Sequence, residues 1–160
     1  MWTWLRDQGI APYFEIITPQ ANAKSNTWLE VPTNDIKALF TELSDIDRER
    51  YGIVWDPQPP LAGNKCLRHQ FSCVVTSAGD VYPCVGVNIS LGNIRQQKLA
   101  DIIANSKVLA DLKNYRNTIK GVCGDCEKAE SCYGCRGSAY QLTGDYLASD
   151  PLCWRQTNTT

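Results

Sequence analysis

The distribution of cysteine constrains this chain of 160 residues more than any other feature of its sequence. The first 65 residues contain no cysteine, whereas eight of the 88 positions from Cys66 to Cys153 are cysteine, about 9%. Such a density is typical of disulfide-linked secreted domains or of domains that bind metal through thiolates. The eight cysteines are Cys66, Cys73, Cys84, Cys123, Cys126, Cys132, Cys135 and Cys153.

The N-terminal residues and the charge favour a cytoplasmic metal-binding protein. Residues 1–10 contain Arg6 and Asp7 and lack the apolar core of a secretory signal. Clustered cysteines in a reducing compartment more often bind metal than form disulfides. The net charge of -1 gives no broad attraction to nucleic acid or anionic membranes. No apolar run approaches the roughly 20 residues of a membrane helix, so we expect neither partner.

A proline-rich break divides the chain into two predicted domains, residues 1–60 and 61–160. Residues 56–65 read DPQPPLAGNK, which is typical of a loop. Before the break, Ile10–Thr18 and Gly52–Asp56 are short and rich in β-branched and aromatic residues, which predicts two strands. Between them, Pro32–Arg50 predicts a helix, because its apolar residues recur at spacings of three and four.

This order of strand, helix and strand is a βαβ unit, which favours a parallel α/β sheet. A single unit cannot cover both faces of its strands. The sequence therefore predicts that residues 1–60 are the C-terminal portion of a larger partial (β/α) barrel. Trp2, Trp4 and Leu5 would lie at the end of a preceding helix.

After the break the pattern changes to a cysteine-rich α+β domain. Phe71–Thr76 and Asp80–Pro83 flank a short segment that contains Gly79, which predicts a β-hairpin. Apolar spacing between Gln97 and Arg116 predicts one or two amphipathic helices. Ser138–Leu142 predicts a further short helix, and the loop before it carries four of the cysteines.

The sharpest motif is Cys123-x2-Cys126-x5-Cys132-x2-Cys135. A gap of two residues lets two thiolates turn toward one point, and thiolates select zinc or iron–sulfur clusters over hard cations. The spacing does not separate a four-cysteine zinc site from a cubane cluster. Eight cysteines are enough for two four-cysteine sites with none left over, which favours clusters. A zinc-stabilised binding module without a redox role and a disulfide-bonded exported domain stay open as alternatives.

The order Cys66-x12-Gly79-x4-Cys84, followed by the central motif and Cys153, resembles the SPASM domain at the C-terminus of many radical SAM enzymes. Shorter sequences agree: GDVYPC at 79–84, LGNI at 91–94, CRG at 135–137 and GDY at 144–146. The resemblance covers residues 66–154. Residues 12–15 and 17–19 are similar to the end of the radical SAM barrel.

The resemblance implies two auxiliary [4Fe-4S] clusters with interleaved ligands. An inner cluster, nearer the barrel, would be held by Cys66, Cys73, Cys84 and Cys135. An outer cluster would be held by Cys123, Cys126, Cys132 and Cys153. The two residues between Cys132 and Cys135 depart from the usual spacing of three.

The resemblance also implies a role in electron transfer and substrate positioning. The CxxxCxxC motif that holds the catalytic cluster of radical SAM enzymes is missing from these 160 residues. We therefore expect that this chain alone does not cleave S-adenosylmethionine. S-adenosylmethionine and a third [4Fe-4S] cluster would belong to a full-length parent or a partner chain that carries the barrel. Parent enzymes of this kind mature peptides, proteins or cofactor precursors such as tetrapyrroles.

Three further residues lie beside cysteines. His69, the only histidine, is interpreted as a surface or capping residue rather than a ligand. Arg136 is either a surface arginine or a contact for substrate or an anionic cluster. Trp154 follows the last cysteine and is predicted to shield the outer cluster from water.

Overall fold

The computed structural model describes residues 1–60 and 66–156 of the chain. The helices are short except for one, and the strands form a single two-stranded ladder within these ranges. In chain order the elements are α1 (Trp2–Asp7), α2 (Asn22–Ser25), α3 (Thr33–Tyr51), α4 (Arg68–Phe71), β1 (Val74–Val75), β2 (Val81–Tyr82), α5 (Leu99–Asn105), α6 (Lys107–Lys113), α7 (Tyr115–Thr118) and α8 (Arg136–Thr143). Short 3-10 turns cover Thr27–Leu29, Gly121–Cys123 and Trp154–Gln156.

The long helix α3 confirms the prediction for residues 32–50. Its apolar stripe places Ile36 and Leu43 in the core. The helix ends at Gly52, which adopts a left-handed conformation with φ 65°. A residue with a β-carbon disfavours that conformation, so the glycine fixes the end of the helix.

The two strands predicted in residues 1–60 are wrong. Ile10–Thr18 and Gly52–Asp56 belong to no strand in the described part of the chain. A strand is defined by ladder hydrogen bonds to a neighbour, and neither segment has one here. β-branched and aromatic composition predicts what a segment prefers beside a partner strand, not that the partner is present.

A buried carboxylate joins α1 to α3 instead. Asp47 of α3 is 0% exposed, and its Oδ1 accepts hydrogen bonds from Nε1 of Trp2 at 2.8 Å and from Nε of Arg6 at 3.0 Å. Oδ2 accepts from Nε1 of Trp55 at 2.8 Å and pairs with the Arg6 guanidinium. These donors outweigh burial, which by itself would raise the pKa of Asp47, and hold its pKa below the ordinary value.

The predicted hairpin is confirmed, with β1 and β2 paired antiparallel through Val74 with Tyr82 and Val75 with Val81. Gly79 in the turn has φ 93°, and a β-carbon there would lie 2.7 Å from Oδ1 of Asn93. A second loop therefore packs directly on the turn, where Asp80 and Asn93 form an isolated bridge. Only glycine satisfies both conditions.

The remaining predicted helices are also confirmed. α5 and α6 lie within residues 97–116, and α8 begins two residues before the predicted segment. The core that they share with the hairpin is small; its fully buried apolar members include Val81, Val87, Ile102, Leu112 and Ala139.

Phe40 connects the two parts of the chain. Its ring lies 6.3 Å from that of Trp55 and 5.9 Å from that of Trp154. Trp154 is 5% exposed, which confirms its predicted burial. None of the helices in the described ranges is long and apolar enough to cross a membrane.

Candidate metal centre

Four of the predicted ligands come together around the central loop. The thiol of Cys132 interacts with Cys123 and Cys126, and that of Cys153 interacts with Cys123 and Cys132. This set of sulfurs, Cys123, Cys126, Cys132 and Cys153, is called the outer set below.

Backbone amides point at every sulfur of the outer set. The N–H groups of Lys128, Gly134 and Asp150 donate to Sγ of Cys126, Cys132 and Cys123, respectively, each at 3.4 Å. Cys153 accepts from the backbone of Arg155. Amides aimed at sulfur stabilise thiolate over thiol, which is the form that binds metal.

A second group of sulfurs contains Cys66, Cys84 and Cys135. Cys84 interacts with the thiols of Cys135 and Cys66. Its sulfur accepts backbone hydrogen bonds from Gly86 and Val87. Cys135 is the N-cap of α8 and its Sγ accepts from the N–H of Ser138 at 3.5 Å. Cys66, Cys84 and Cys135 are called the inner set.

Cys73 is the predicted inner ligand that the structure does not join to these three sulfurs. It is half-buried and lies directly before β1. The hairpin register, continued by one pair, sets Cys73 across from Pro83, next in the chain to Cys84. The hairpin therefore carries Cys73 to the same end of the domain as Cys84.

Two glycines bring Cys84 and Cys135 together. A β-carbon on Gly86 would lie 2.6 Å from Cα of Gly137, so the loop after Cys84 and the first turn of α8 touch backbone to backbone. Gln141 of α8 donates from Nε2 to the carbonyl of Gly86 at 2.8 Å and fixes this contact. Because neither glycine has a side chain, the two backbones approach closely, and the thiols of Cys84 and Cys135 lie near each other.

Asp150 ties the inner set to the outer set. It is 0% exposed, and its Oδ2 accepts from the backbone N–H of Cys135 at 2.6 Å. Its own N–H donates to Cys123 of the outer set. Its Oδ1 accepts from the N–H of Leu152, next to Cys153. Burial raises the pKa of Asp150 and these backbone donors oppose that rise.

Three of the thiols, those of Cys84, Cys132 and Cys153, have a raised pKa and hold their protons more tightly than a free cysteine does. Burial is the largest cause that raises the pKa of Cys84 and Cys132, and it raises that of Cys153 to about 11. Neighbouring thiols add to the rise because two thiolates repel each other. A bound cation removes both effects, so metal binding in these sets releases protons.

Buried polar atoms without a partner mark the inner set. Among the side chains that the structure describes, those with buried, unpaired nitrogen or oxygen are His69 Nε2, Tyr133 Oη, and Nε and Nη2 of Arg136. Tyr133 lies beside Cys66, Cys84 and Cys135, His69 contacts its ring, and Arg136 follows Cys135.

An iron–sulfur cluster fits these residues. Orphaned buried donors cost free energy unless an acceptor is present, and the sulfides and thiolates of a cluster are acceptors. In residues 1–60 and 66–156, no three His, Cys, Asp or Glu side chains converge on a point that could hold a single metal ion. The donors of both sets are cysteine sulfurs, which are the ligands that iron–sulfur clusters take.

Sequence reasoning misplaced His69 and did not assign Asp150 or Tyr133. His69 is 6% exposed and buried, not at the surface. Arg136 is 4% exposed, and its Nη1 donates to the carbonyl of Ala148 at 2.6 Å and to that of Tyr146 at 3.2 Å. Tyr133 and Arg136 each directly follow a cysteine of the central motif. That placement was the sequence signal that their side chains could line a buried site.

Residues 66–136 match the model of SPASM, an iron–sulfur cluster-binding domain. The predicted resemblance to SPASM is confirmed over these residues, and SPASM is a domain that binds iron–sulfur clusters. The interactions between thiols, the backbone N–H donors and the buried polar atoms without hydrogen bonds all lie at cysteines predicted to be ligands.

Two kinds of curated relatives are similar to this chain. The AdoMet-dependent heme synthase of Methanosarcina barkeri (strain Fusaro / DSM 804) is 42% identical over 88 residues, which cover 55% of this chain and 25% of the relative. The enzyme of that name from Nitratidesulfovibrio vulgaris is 33% identical over 88 residues, with 55% and 24% covered. The PqqA peptide cyclase of Methylobacterium sp. (strain 4-46) is 36% identical over 86 residues, with 49% and 22% covered. The chain spans about a quarter of the length of these relatives.

Proposed function

We propose that this chain is the C-terminal iron–sulfur module of a radical SAM maturase, and that it holds two [4Fe-4S] clusters. Cys66, Cys73, Cys84 and Cys135 would hold the inner cluster. Cys123, Cys126, Cys132 and Cys153 would hold the outer one. The observation that carries the proposal is the separation of seven cysteines into two sets that match these assignments.

The residues around the sulfurs support a redox role. When bound, the clusters supply one-electron chemistry. The chain contributes burial of the sulfurs and backbone donors to six of them, four of which have distances of 3.4–3.5 Å. It also contributes the link that Asp150 makes between the sets. Burial and donors to sulfur are the means by which a protein sets a cluster potential.

Residues 1–60 would form the end of the radical SAM barrel, with the SPASM domain in residues 61–160. The predicted boundary at 61–65 lies outside the described residues. In this proposal, α3 packs on neighbours that the barrel of a parent or partner chain provides. S-adenosylmethionine and the third cluster would be bound there, because this chain has no CxxxCxxC.

Substrate positioning is supported by an apolar cavity of about 700 Å³ between the two parts. Its walls include Phe14 and Ile16 of the N-terminal part, Ile36 and Phe40 of α3, and Leu142 and Leu152. Leu152 precedes Cys153 of the outer set, so a substrate there would lie beside that cluster. The names of the relatives favour a peptide or a tetrapyrrole-like precursor as substrate.

The experiment is the iron, sulfide and zinc content of anaerobically purified protein, with its absorbance near 400 nm. Two cubane clusters give about eight irons and eight sulfides per chain. Cys84→Ser and Cys126→Ser each remove one set and are expected to leave about four irons. About one or two zincs without iron would contradict the redox proposal and favour a zinc-stabilised binding module instead.

A further inference from the structure

The side chain of Tyr133 lies beside all three members of the inner set. It stands between Cys132 and Cys135 and is 4% exposed. Its hydroxyl lies next to the Cys66 thiol, with Cys135 and Cys84 beyond. The oxygen is buried; the Cys66 thiol beside it is a weak acceptor, and no hydrogen bond of good geometry joins the oxygen to a described residue.

Two aromatic rings pack on the ring of Tyr133. The imidazole of His69 meets it edge-on at 5.3 Å, and the ring of Tyr115 packs at 4.9 Å with a tilt of 45°. Aromatic pairs in these geometries stabilise each other, so the ring has little freedom to turn away. The hydroxyl is consequently aimed at the sulfurs by its neighbours.

A buried hydroxyl that has only a weak thiol acceptor beside it is poorly satisfied, which destabilises the fold. A phenylalanine would fill the same space without that cost. A tyrosine hydroxyl keeps its proton at neutral pH and is therefore available as a hydrogen-bond donor. An acceptor at the inner set would give this proton a partner.

We infer that the Tyr133 hydroxyl donates a hydrogen bond to a sulfur of the inner cluster and thereby raises the reduction potential of that cluster. The inference rests on the proposed function, because it needs a cluster on Cys66, Cys84 and Cys135. Reduction adds negative charge to the cluster, and a donor to sulfur stabilises the more negative state more strongly. Tyr133 is thus a positioning residue for electron transfer, and it does not itself carry the electron.

The test compares Tyr133→Phe with wild-type protein in an anaerobic redox titration followed by EPR, using the full 160-residue chain. Cys84→Ser and Cys126→Ser assign the signals to the inner and outer cluster. Tyr133→Phe is expected to disfavour inner-cluster reduction about tenfold, which lowers its potential by about 59 mV for a one-electron couple. The reduction potential of the outer cluster is expected to stay unchanged.

Tyr115→Phe is the matched control. It removes the hydroxyl of Tyr115, whose ring packs on that of Tyr133, and it is expected to leave the reduction potentials of both clusters unchanged. Replacement of Tyr133 by 3-fluorotyrosine, whose hydroxyl is the more acidic donor, is expected to shift the inner potential upward. This second variant keeps the ring and so separates tuning from packing.

The outcomes distinguish the two proposals. Wild-type protein without iron would contradict the proposed function. Full iron content in Tyr133→Phe with an unchanged inner potential would overturn the inference alone, as would an equal shift in Tyr115→Phe. Loss of iron in Tyr133→Phe together with no response to 3-fluorotyrosine would assign Tyr133 to packing and also overturn it.

Discussion

The carboxylate of Asp150 accepts a hydrogen bond from the backbone N–H of Cys135 at 2.6 Å, across 15 positions of the chain. Asp150 is fully buried, and its own N–H donates to Cys123. One aspartate therefore holds a member of the inner set and a member of the outer set. The two sets keep a fixed relation because they share this residue.

Asp150→Ala is expected to lower the iron content of both sets, because the N–H groups of Cys135 and Leu152 lose their acceptor. Leaving these buried donors unpaired is expected to reduce the free energy of unfolding by about 3 kcal/mol. Iron analysis and chemical unfolding measure the two effects.

Asp125→Ala is the matched control for this substitution. Asp125 lies between Cys123 and Cys126 and is exposed, so its removal is expected to leave the iron content unchanged. If both variants lost iron equally, the effect of Asp150 would be one of local charge and not of its buried hydrogen bonds.

Gly137→Ala is expected to separate Cys84 from Cys135 and to empty the inner set. The added β-carbon would lie 2.8 Å from Cα of Gly86, which is too close for either backbone to stay in place. Iron per chain is expected to fall by about half, to about four. The outer EPR signal is expected to remain.

Gly144→Ala provides the comparison at the other end of α8. Gly144 has φ 79° and nothing within 4 Å of a β-carbon, so alanine there strains the backbone without touching a neighbour. It is expected to cost about 1 kcal/mol of stability and no iron. Iron loss in Gly144→Ala as large as in Gly137→Ala would attribute the effect to α8 stability.

The parts of the fold that local chemistry determines were predictable from the sequence. The apolar stripe of α3, the glycine turn of the hairpin and the helix that follows Cys135 all depend on residues a few positions apart. The division of the cysteines into inner and outer sets followed from the family resemblance. The grouping of seven sulfurs in the structure supports the ligand assignment, which stays a prediction for all eight cysteines.

The parts that depend on distant partners were not predictable. Ile10–Thr18 has the composition of a strand, yet no neighbouring strand is present in the described residues. The roles of Asp150 and Tyr133 arise because residues far apart in sequence meet in the fold. His69 was misplaced for the same reason: it is buried in contact with the ring of Tyr133, which is far from it in sequence.

Removal of iron by a chelator is expected to loosen the SPASM domain more than residues 1–60. The domain has a small apolar core, so its folding depends on the metal, whereas α1 and α3 are joined by Asp47, Trp2 and Trp55. Amide hydrogen exchange is expected to speed up in α8 and around Gly86 while α3 keeps its protection. Equal loss of protection in α3 would show that the two parts fold as one unit.

Asp47→Asn tests the buried carboxylate that joins α1 to α3, and its effect is expected to depend on pH. At pH 7 the substitution removes the charge that pairs with Arg6 and is expected to lower the free energy of unfolding by about 3 kcal/mol. Since the pKa of Asp47 is lowered in the folded protein, its ionised form contributes fully above the ordinary value of about 3.9. The difference between wild type and Asp47→Asn is therefore expected to be constant from pH 7 to about 5. It should shrink as pH falls through the lower folded-state pKa. Urea unfolding followed by near-UV circular dichroism of the tryptophans measures this difference in stability.

Asp45→Asn, on the exposed side of the same helix, is expected to change stability by no more than about 0.5 kcal/mol at any pH. A difference for Asp47→Asn that grew on acidification would contradict the assigned pKa direction.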